Sequence, residues 1–194
     1  TYMDGTTDIT RTYPLGPLTE DEKRFYTWTL QSHIDLAKAV WLDYCECKMI
    51  DTIAREPLWR HLINYRCGTG HSVSFVGNVH EGPHALNSRN TTRMRPGMVV
   101  TDEPGVYETD LVGIRIENEL VCVHKADNQY GTFLGFEPLM FVPIATSPIL
   151  PGVLDKDEIA WLNDYHRQVF AKLAPHLNDE ERSWLAEKCA AIGC

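Results

Sequence analysis

The chain has 194 residues and a formal net charge of −9, with 43% hydrophobic and 23% charged residues. This length suits a single domain, and the composition is that of a soluble protein with enough apolar side chains for a core. The negative charge argues against binding to nucleic acids or to anionic membrane surfaces. The apolar runs are far too short to cross a bilayer and no signal-peptide pattern stands at the start, so we expect a cytoplasmic protein.

The cysteines do not form the pattern of a disulfide framework. Cys45 and Cys47 are separated by one residue, which is the wrong spacing for a zinc ribbon. The other four are scattered along the chain: Cys67, Cys122, Cys189 and Cys194. We therefore expect reduced thiols, as in a cytosolic protein.

The first third of the chain predicts one strand and two helices. Residues 9–15 have the pattern of a strand that ends at Gly16-Pro17. Thr19 and Glu22 have the spacing of a capping box, which predicts a helix from there to about residue 40. A second helix is predicted over about 51–61, bent or restarted near Pro57.

The rest of the chain predicts a sheet followed by two amphipathic helices. Strands are expected at the apolar run 98–100, the alternating segment 112–117, and the apolar runs 120–123 and 139–144. The helices are expected at about 155–173 and 179–192, after a segment interrupted by prolines and a glycine. The pattern indicates an α+β protein.

Two glutamates in the strand region are not needed for folding. Glu103 precedes a Pro-Gly turn, and Glu117 ends an alternating strand in which it shares a face with Arg115. A carboxylate beside apolar neighbours must be paired, neutralised or bound to a cation. Together with His71 and Asp8 the glutamates offer one imidazole and three carboxylates, a set that suits a divalent metal ion.

Each of these residues also has an ordinary structural interpretation. Asp8 could cap the turn that begins at Asp4-Gly5, and the two glutamates could form ion pairs with Arg115. His71 could be a hydrogen-bonded structural histidine. From the residues alone, both interpretations stay open, because no two of the four lie within one helical turn.

Several separated motifs resemble one known family. They are DGTTDITRT (4–12), GTGH (68–71), NVHEGP (78–83), TDEPGVYE (101–108) and GIRIEN (113–118). In this order and spacing they resemble the C-terminal catalytic domain of aminopeptidase P (Xaa-Pro aminopeptidase). That domain has the pita-bread fold shared with methionine aminopeptidase and creatinase. The resemblance implies a curved, mainly antiparallel sheet with helices on its outer face.

The end of the chain resembles one branch of that family. The motif WLNDYH (161–166) is similar to the extension of the long, cytosolic type. We therefore expect residues 1–150 to form a partial pita-bread catalytic domain and residues 151–194 a C-terminal helical extension packed on it.

The resemblance implies a role for each candidate residue. Asp8 and Glu117 match carboxylates that bridge two metal ions, and His71 and Glu103 match ligands of one ion. The expected metal is Mn²⁺, with Co²⁺ or Zn²⁺ as alternatives. The remaining positions match residues around the metal: His80 on the substrate side, Cys67 where the family more often has a substrate-contacting His, and Tyr107 and Arg115 behind the ligands. Ser72 and Ser74 replace family glycines.

The resemblance also implies that the chain is N-terminally truncated. A further metal-binding Asp is expected just before Thr1, so a fragment with one complete metal position and little activity of its own is expected. The implied substrate is a peptide with proline in second position, and association into a homodimer stays open. Two other functions remain: a non-catalytic module that binds peptides or a protein partner, and another hydrolase on the same fold.

Overall fold

The computed structural model describes residues 1–193, and Cys194 lies outside the described residues. Within this range the helices are α1 (Glu20–Ala37), α2 (Cys47–Trp59), α3 (Lys156–Leu173) and α4 (Asp179–Lys188), with a 3₁₀ turn (Ala174–His176) between the last two. The strands are β1 (Val40–Leu42), β2 (Gly70–His71), β3 (Ala85–Leu86), β4 (Val99–Asp102), β5 (Gly105–Glu108), β6 (Val112–Arg115), β7 (Asn118–Asn128) and β8 (Gly131–Pro138).

Helix α1 begins where its cap predicts, and α3 and α4 begin at capping boxes of their own. The capping box of α1 is formed by Thr19 and Glu22. Helix α1 ends at Ala37 and not at residue 40, because Val40 begins β1. Helix α2 starts four residues earlier than predicted and continues through Pro57 without a restart. Helix α4 ends at Lys188, four residues before the predicted end.

The central sheet has the strand order β1-β8-β7-β4, and two short hairpins, β2-β3 and β5-β6, accompany it. Every strand pair within residues 1–193 is antiparallel, which confirms the predicted sheet type. In the register of β4 and β7, Thr101 lies opposite Glu119. Ser72, the residue after β2, forms an isolated antiparallel bridge with Val100 of β4 at the edge of the sheet.

Alternation along β4 and β7 separates an apolar face from an acidic one. Val100, Leu120 and Cys122 are buried in the core that α1 and α2 cover. Because successive strand residues point to opposite faces, Thr101 and Glu119 lie on the other face. The helices thus pack on one side of the sheet, and the carboxylates lie on the other.

The predicted strand at residues 9–15 is wrong. Only Thr10 forms a bridge there, with Glu117. Two residues on, the Thr12 hydroxyl accepts from the Arg115 N–H (3.1 Å) and donates to the Arg115 carbonyl (2.8 Å). A side chain therefore uses the backbone groups that a neighbouring strand would have paired.

The predicted strand at residues 139–144 is also wrong, because side chains of α3 take the place of a neighbouring strand. The Val142 N–H donates to the Tyr165 hydroxyl (3.2 Å), and the Ile144 N–H donates to Nε2 of His166 (3.0 Å). The Arg11 guanidinium donates to the carbonyl of Val142 (2.8 Å). The backbone groups are satisfied without a sheet partner, as burial requires.

The C-terminal helices pack on α1. Leu162 and Val169 of α3 and Leu185 of α4 share a buried cluster with Leu30 and Ile34 of α1. Cysteines 45, 47, 67, 122 and 189 are free thiols. Within residues 1–193, no helix combines the length and the apolar composition that crossing a bilayer requires.

Candidate metal centre

His71 is held against β4 by its backbone. A Cβ on Gly70 would lie 1.8 Å from the carbonyl oxygen of Thr101, so only glycine allows this approach. The His71 N–H then donates to Oγ1 of Thr101 at 2.9 Å. On the ring, Nδ1 lies 3.1 Å from the carbonyl oxygen of Ser72. A carbonyl can only accept, so Nδ1 carries a proton and Nε2 points away from Ser72.

Nε2 of His71 faces two carboxylates. It lies 3.1 Å from Oε1 of Glu103 and 3.4 Å from Oδ2 of Asp8. With Nδ1 protonated, a neutral ring would present a lone pair to both acids. The lone pair and the two carboxylates would repel one another unless a positive charge lies between them, either a second proton on the ring or a cation. Burial lowers the pKa of His71, but the hydrogen bond and the charges of the acids outweigh it and raise this pKa.

Glu103 is the most firmly held of the acids. It is buried, its Oε1 accepts from Oγ1 of Thr101 (3.0 Å), and its Oε2 accepts from the Arg115 guanidinium. Burial alone would raise the pKa of Glu103, but His71, Arg115 and Thr101 together hold it below its usual value. Glu103 is therefore a carboxylate that stays ionised.

Glu117 has the opposite electrostatic character. Its Oε2 accepts from the Thr10 hydroxyl, but its Oε1 is buried and has no hydrogen-bond partner within residues 1–193. Burial raises the pKa of Glu117 to about 7, and the charges of Glu103 and Asp8 add to this. A buried carboxylate oxygen without a partner is costly unless a proton or a cation satisfies it.

Glu119 is a fourth acid that we did not predict. The Asp8 N–H donates to its Oε1 at 2.6 Å, so it fixes the segment that carries Asp8. Burial raises the pKa of Glu119, and this hydrogen bond opposes the rise. The signal was present in the sequence, because Glu117 and Glu119 are two apart and share a face of the extended segment.

The donor set fits a divalent cation in its chemistry. One imidazole with three carboxylates is a combination that Mn²⁺, Co²⁺ and Zn²⁺ all accept. A cation there would satisfy the partnerless oxygen of Glu117 and the lone pair of Nε2 of His71, which faces Oε1 of Glu103 and Oδ2 of Asp8. No three His, Cys, Asp or Glu side chains in residues 1–193 are already arranged as a ligand shell. For a cation to bind, Glu103 and Glu117 would therefore have to give up some of their hydrogen bonds to Thr10, Thr101 or Arg115.

Four further predicted residues surround the donors. The exposed ring of His80 stacks on His71, with centroids 3.6 Å apart. Sγ of Cys67 lies 3.6 Å from the carbonyl oxygen of Gly105, within reach of a weak hydrogen bond. The Arg115 guanidinium lies 5.6 Å from the Tyr107 ring, and Tyr107 is 57% exposed. The roles predicted for these side chains stay predictions.

His84 is a buried histidine close to the site that we did not predict. It is 6% exposed and its Nε2 lies 2.8 Å from the carbonyl oxygen of Val99. It therefore anchors the segment after His80 to the start of β4. No local motif surrounds His84, so no sequence pattern predicted this contact.

A buried pair behind the acids was also missed. Nδ1 of His33 lies 3.1 Å from Oδ2 of Asp102, and both side chains are fully buried. Burial raises the pKa of Asp102 to about 6, although the neighbouring imidazole of His33 favours the ionised carboxylate and limits the rise. Asp102 precedes Glu103 and points to the helix side, so the pair ties α1 to the strand that carries Glu103. His33 follows the apolar Leu30 by three residues on α1, which was the available signal.

Comparison with known proteins identifies relatives along almost the whole chain. The profile of metallopeptidase family M24 matches residues 1–124, and that of the C-terminal region of peptidase M24 matches residues 132–192. Aminopeptidase P1 of Lotus japonicus is 41% identical over 99% of this chain and 30% of its own length. Aminopeptidase P2 of Arabidopsis thaliana is 44% identical over 95% of this chain and 27% of its own length. The chain thus spans about 30% of these relatives.

Solved structures show the same relationship. The X-prolyl aminopeptidase from Caenorhabditis elegans, described as a cytosolic enzyme with a di-nuclear active site, is 38% identical and superposes with a TM-score of 0.92. It covers 98% of this chain, which corresponds to 32% of that protein. The prolidase from Pyrococcus furiosus reaches a TM-score of 0.61 over 71% of the chain, at 28% identity. The fold is the pita-bread fold, and the chain belongs to metallopeptidase family M24.

Proposed function

We propose that this chain carries metal ligands of an Xaa-Pro aminopeptidase, an enzyme that removes the first residue from peptides with proline in second position. Asp8, His71, Glu103 and Glu117 would hold the metal and supply one imidazole and three carboxylates. One observation carries this proposal. Nε2 of His71 faces oxygens of Glu103 and Asp8, while its Nδ1 is occupied by a backbone carbonyl.

The proposed metal is Mn²⁺. Ligation that is rich in oxygen, with one imidazole and no thiolate, favours it over a structural zinc, and Co²⁺ or Zn²⁺ are the alternatives. When bound, such ions activate water and stabilise negative charge at the carbonyl under attack. The family is one of metallopeptidases, so its members act with a metal ion.

The side chains of this chain prepare the site. Arg115 and Thr101 keep Glu103 ionised and fixed, so its charge is available without reorganisation. The carbonyl of Ser72 fixes the tautomer of His71, the task of groups that orient metal ligands. His80 stacks on His71 with an exposed ring, which suits contact with the peptide near the bond that is cut.

A peptide with proline in second position needs a dedicated peptidase. The amide before proline lacks the N–H that general peptidases grip, so a dedicated enzyme is useful. The names of the relatives contain the same substrate class. We place the protein in the cytoplasm, as the Caenorhabditis elegans relative is described, and we propose residues 151–194 as a helical extension on the catalytic domain 1–150.

The second candidate is a non-catalytic module that binds peptides or a protein partner. Cys67, Ser72 and Ser74 favour it, because the resemblance leads us to expect a His at the first position and glycines at the other two. A thiol is a weak hydrogen-bond donor and does not replace a histidine as a proton carrier. The clustered acids oppose this candidate, because acids without a cation repel one another.

Calorimetric titration of the 194-residue chain with Mn²⁺ tests the proposal. We expect about one tight site per chain, because one ion would take all four of these donors. His71→Ala should abolish binding, and the matched control His124→Ala, in an exposed histidine of the β7-β8 hairpin, should leave it unchanged. Peptide binding without any Mn²⁺ binding would support the non-catalytic module instead.

A further inference from the structure

A cavity beside the proposed metal centre is lined by arginines. Its volume is about 530 Å³, and it lies between the end of α2, the segment before β2 and the loop after β3. Arg55, Arg66 and Arg89 line it, and no carboxylate does. The chain as a whole has 18 basic and 27 acidic residues, so a lining with only positive charges departs from its average surface. We call this cavity the arginine pocket.

Arg55 forms the floor of the arginine pocket and is already neutralised. Its Nε donates to Oδ2 of Asp51 (2.8 Å), and the other nitrogens donate to the carbonyls of Tyr65 (2.9 Å) and Cys67 (3.0 Å). It is 8% exposed. Arg55 therefore holds the shape of the pocket, and its charge is balanced from behind.

Arg66 and Arg89 are different, because both are exposed and neither forms an ion pair within residues 1–193. Two guanidinium groups on one concave surface raise the local positive potential. The amide of Asn87 adds hydrogen-bonding capacity to the same wall. The pocket thus has the charge and the donors that a planar anion requires.

The arginine pocket adjoins the proposed metal centre. Cys67 lines the pocket, and its Sγ lies 3.6 Å from the carbonyl oxygen of Gly105. A Cβ on Gly105 would lie 3.2 Å from Nε of Arg115, and Arg115 binds Glu103. Contacts through Gly105 and Arg115 therefore connect Cys67, in the wall of the pocket, with the proposed ligand Glu103.

We propose that Arg66 and Arg89 bind a carboxylate of the peptide substrate, downstream of the bond that is cut. The carboxylate belongs either to an acidic side chain or to the C-terminus of a short peptide, since the guanidinium fork matches both. The pocket then selects short or acidic peptides among those with proline in second position. This specificity rests on the function proposed above.

Binding of product-like peptides tests the arginine pocket separately from the metal. The probes are Pro-Ala-Glu amide, which has only the side-chain carboxylate, Pro-Ala-Gln acid, which has only the terminal one, and Pro-Ala-Gln amide, which has neither. Each is titrated into the Mn²⁺-treated 194-residue chain. We expect at least one of the charged peptides to bind about tenfold more tightly than the uncharged one, and the preference to decrease with added salt.

The double variant Arg66→Gln/Arg89→Gln should lose that preference and bind all three peptides alike. Arg95→Gln removes the same charge from an exposed arginine outside the pocket, whose nearest carboxylate is 3.9 Å away, and should keep the preference. Equal binding of the three peptides to the unaltered chain, or a preference that survives the double variant, would overturn the proposal.

These experiments also distinguish a failure of the pocket proposal from a failure of the metal proposal. If the double variant still binds Mn²⁺ and all three peptides bind the unaltered chain alike, the pocket proposal fails and the metal proposal stands. If Mn²⁺ fails to bind and the charged peptides still depend on Arg66 and Arg89, the metal proposal fails and the anion site stands.

Discussion

Asp51 is predicted to be a main support of the segment that leads to His71. This buried carboxylate accepts from Nε of Arg55 (2.8 Å) and from the Thr69 hydroxyl. The carbonyl of Thr69 in turn accepts from the Glu103 N–H at 2.8 Å. A chain of hydrogen bonds therefore runs from α2 to a proposed metal ligand.

Replacing Asp51 with Ala leaves a buried guanidinium without its counter-charge and a buried hydroxyl without its acceptor. Breaking one side of a buried ion pair costs about 3–5 kcal/mol, and the lost hydroxyl contact belongs to the same network. We expect a loss of about 3–5 kcal/mol in the free energy of unfolding, which urea denaturation followed by circular dichroism measures. The loss should also weaken Mn²⁺ binding, because the Glu103 N–H loses a fixed partner.

The matched control is Asp21→Ala, which removes an exposed carboxylate that pairs with Arg24 along α1. Exposed pairs contribute about 0–1 kcal/mol, so this variant should unfold nearly like the unaltered chain. A loss below about 1 kcal/mol for Asp51→Ala would refute the reasoning, since it would mean that Arg55 finds another partner or reaches water at little cost.

Three further predictions follow from single contacts. Burial lowers the pKa of His166 to about 4, so the free energy of unfolding should be unaffected by this group above pH 6.5 and should fall by about 3 kcal/mol as the pH decreases from 6.5 to 4. His166→Gln should reduce this pH dependence, measured by denaturant titration at several pH values. Thr12→Val removes the hydroxyl that bonds both backbone groups of Arg115 and should cost about 1–3 kcal/mol in a denaturant titration, whereas a cost near zero would contradict this. In a form of the protein that cleaves Xaa-Pro peptides, His80→Ala should lower turnover by about 10²-fold or more and leave the metal content unchanged, and loss of metal would make His80 a ligand.

The sequence predicts most of the elements because their signals are local. Capping boxes mark the starts of α1, α3 and α4, an apolar run marks the strand before Glu103, and alternation marks the strand that leads to Glu117. The two predicted strands that the structure lacks have the same local composition as true strands. Their backbone groups are bonded by side chains that are distant in sequence, such as Tyr165 and His166, which no local pattern can reveal.

The candidate site divides in the same way. Asp8, His71 and Glu103 were selected from separated motifs, and the fold brings these three side chains together. Apart from Arg115, an ion-pair partner that the sequence already suggested for Glu103, their hydrogen-bond partners were not predicted, because a contact such as that between Asp8 and Glu119 joins residues 111 positions apart. The buried pair of His33 and Asp102 was overlooked for the same reason.

The most direct test of the central proposal is the ligation of Mn²⁺ by His71. Electron spin-echo spectroscopy of the Mn²⁺-bound chain detects nitrogen that is coordinated to the metal. We expect the signal of one imidazole nitrogen, lost in His71→Ala and retained in His84→Gln, because one imidazole with carboxylates is the donor set that faces Asp8 and Glu103. Bound Mn²⁺ without any coordinated nitrogen, or a nitrogen signal that persists in His71→Ala, would contradict the assignment.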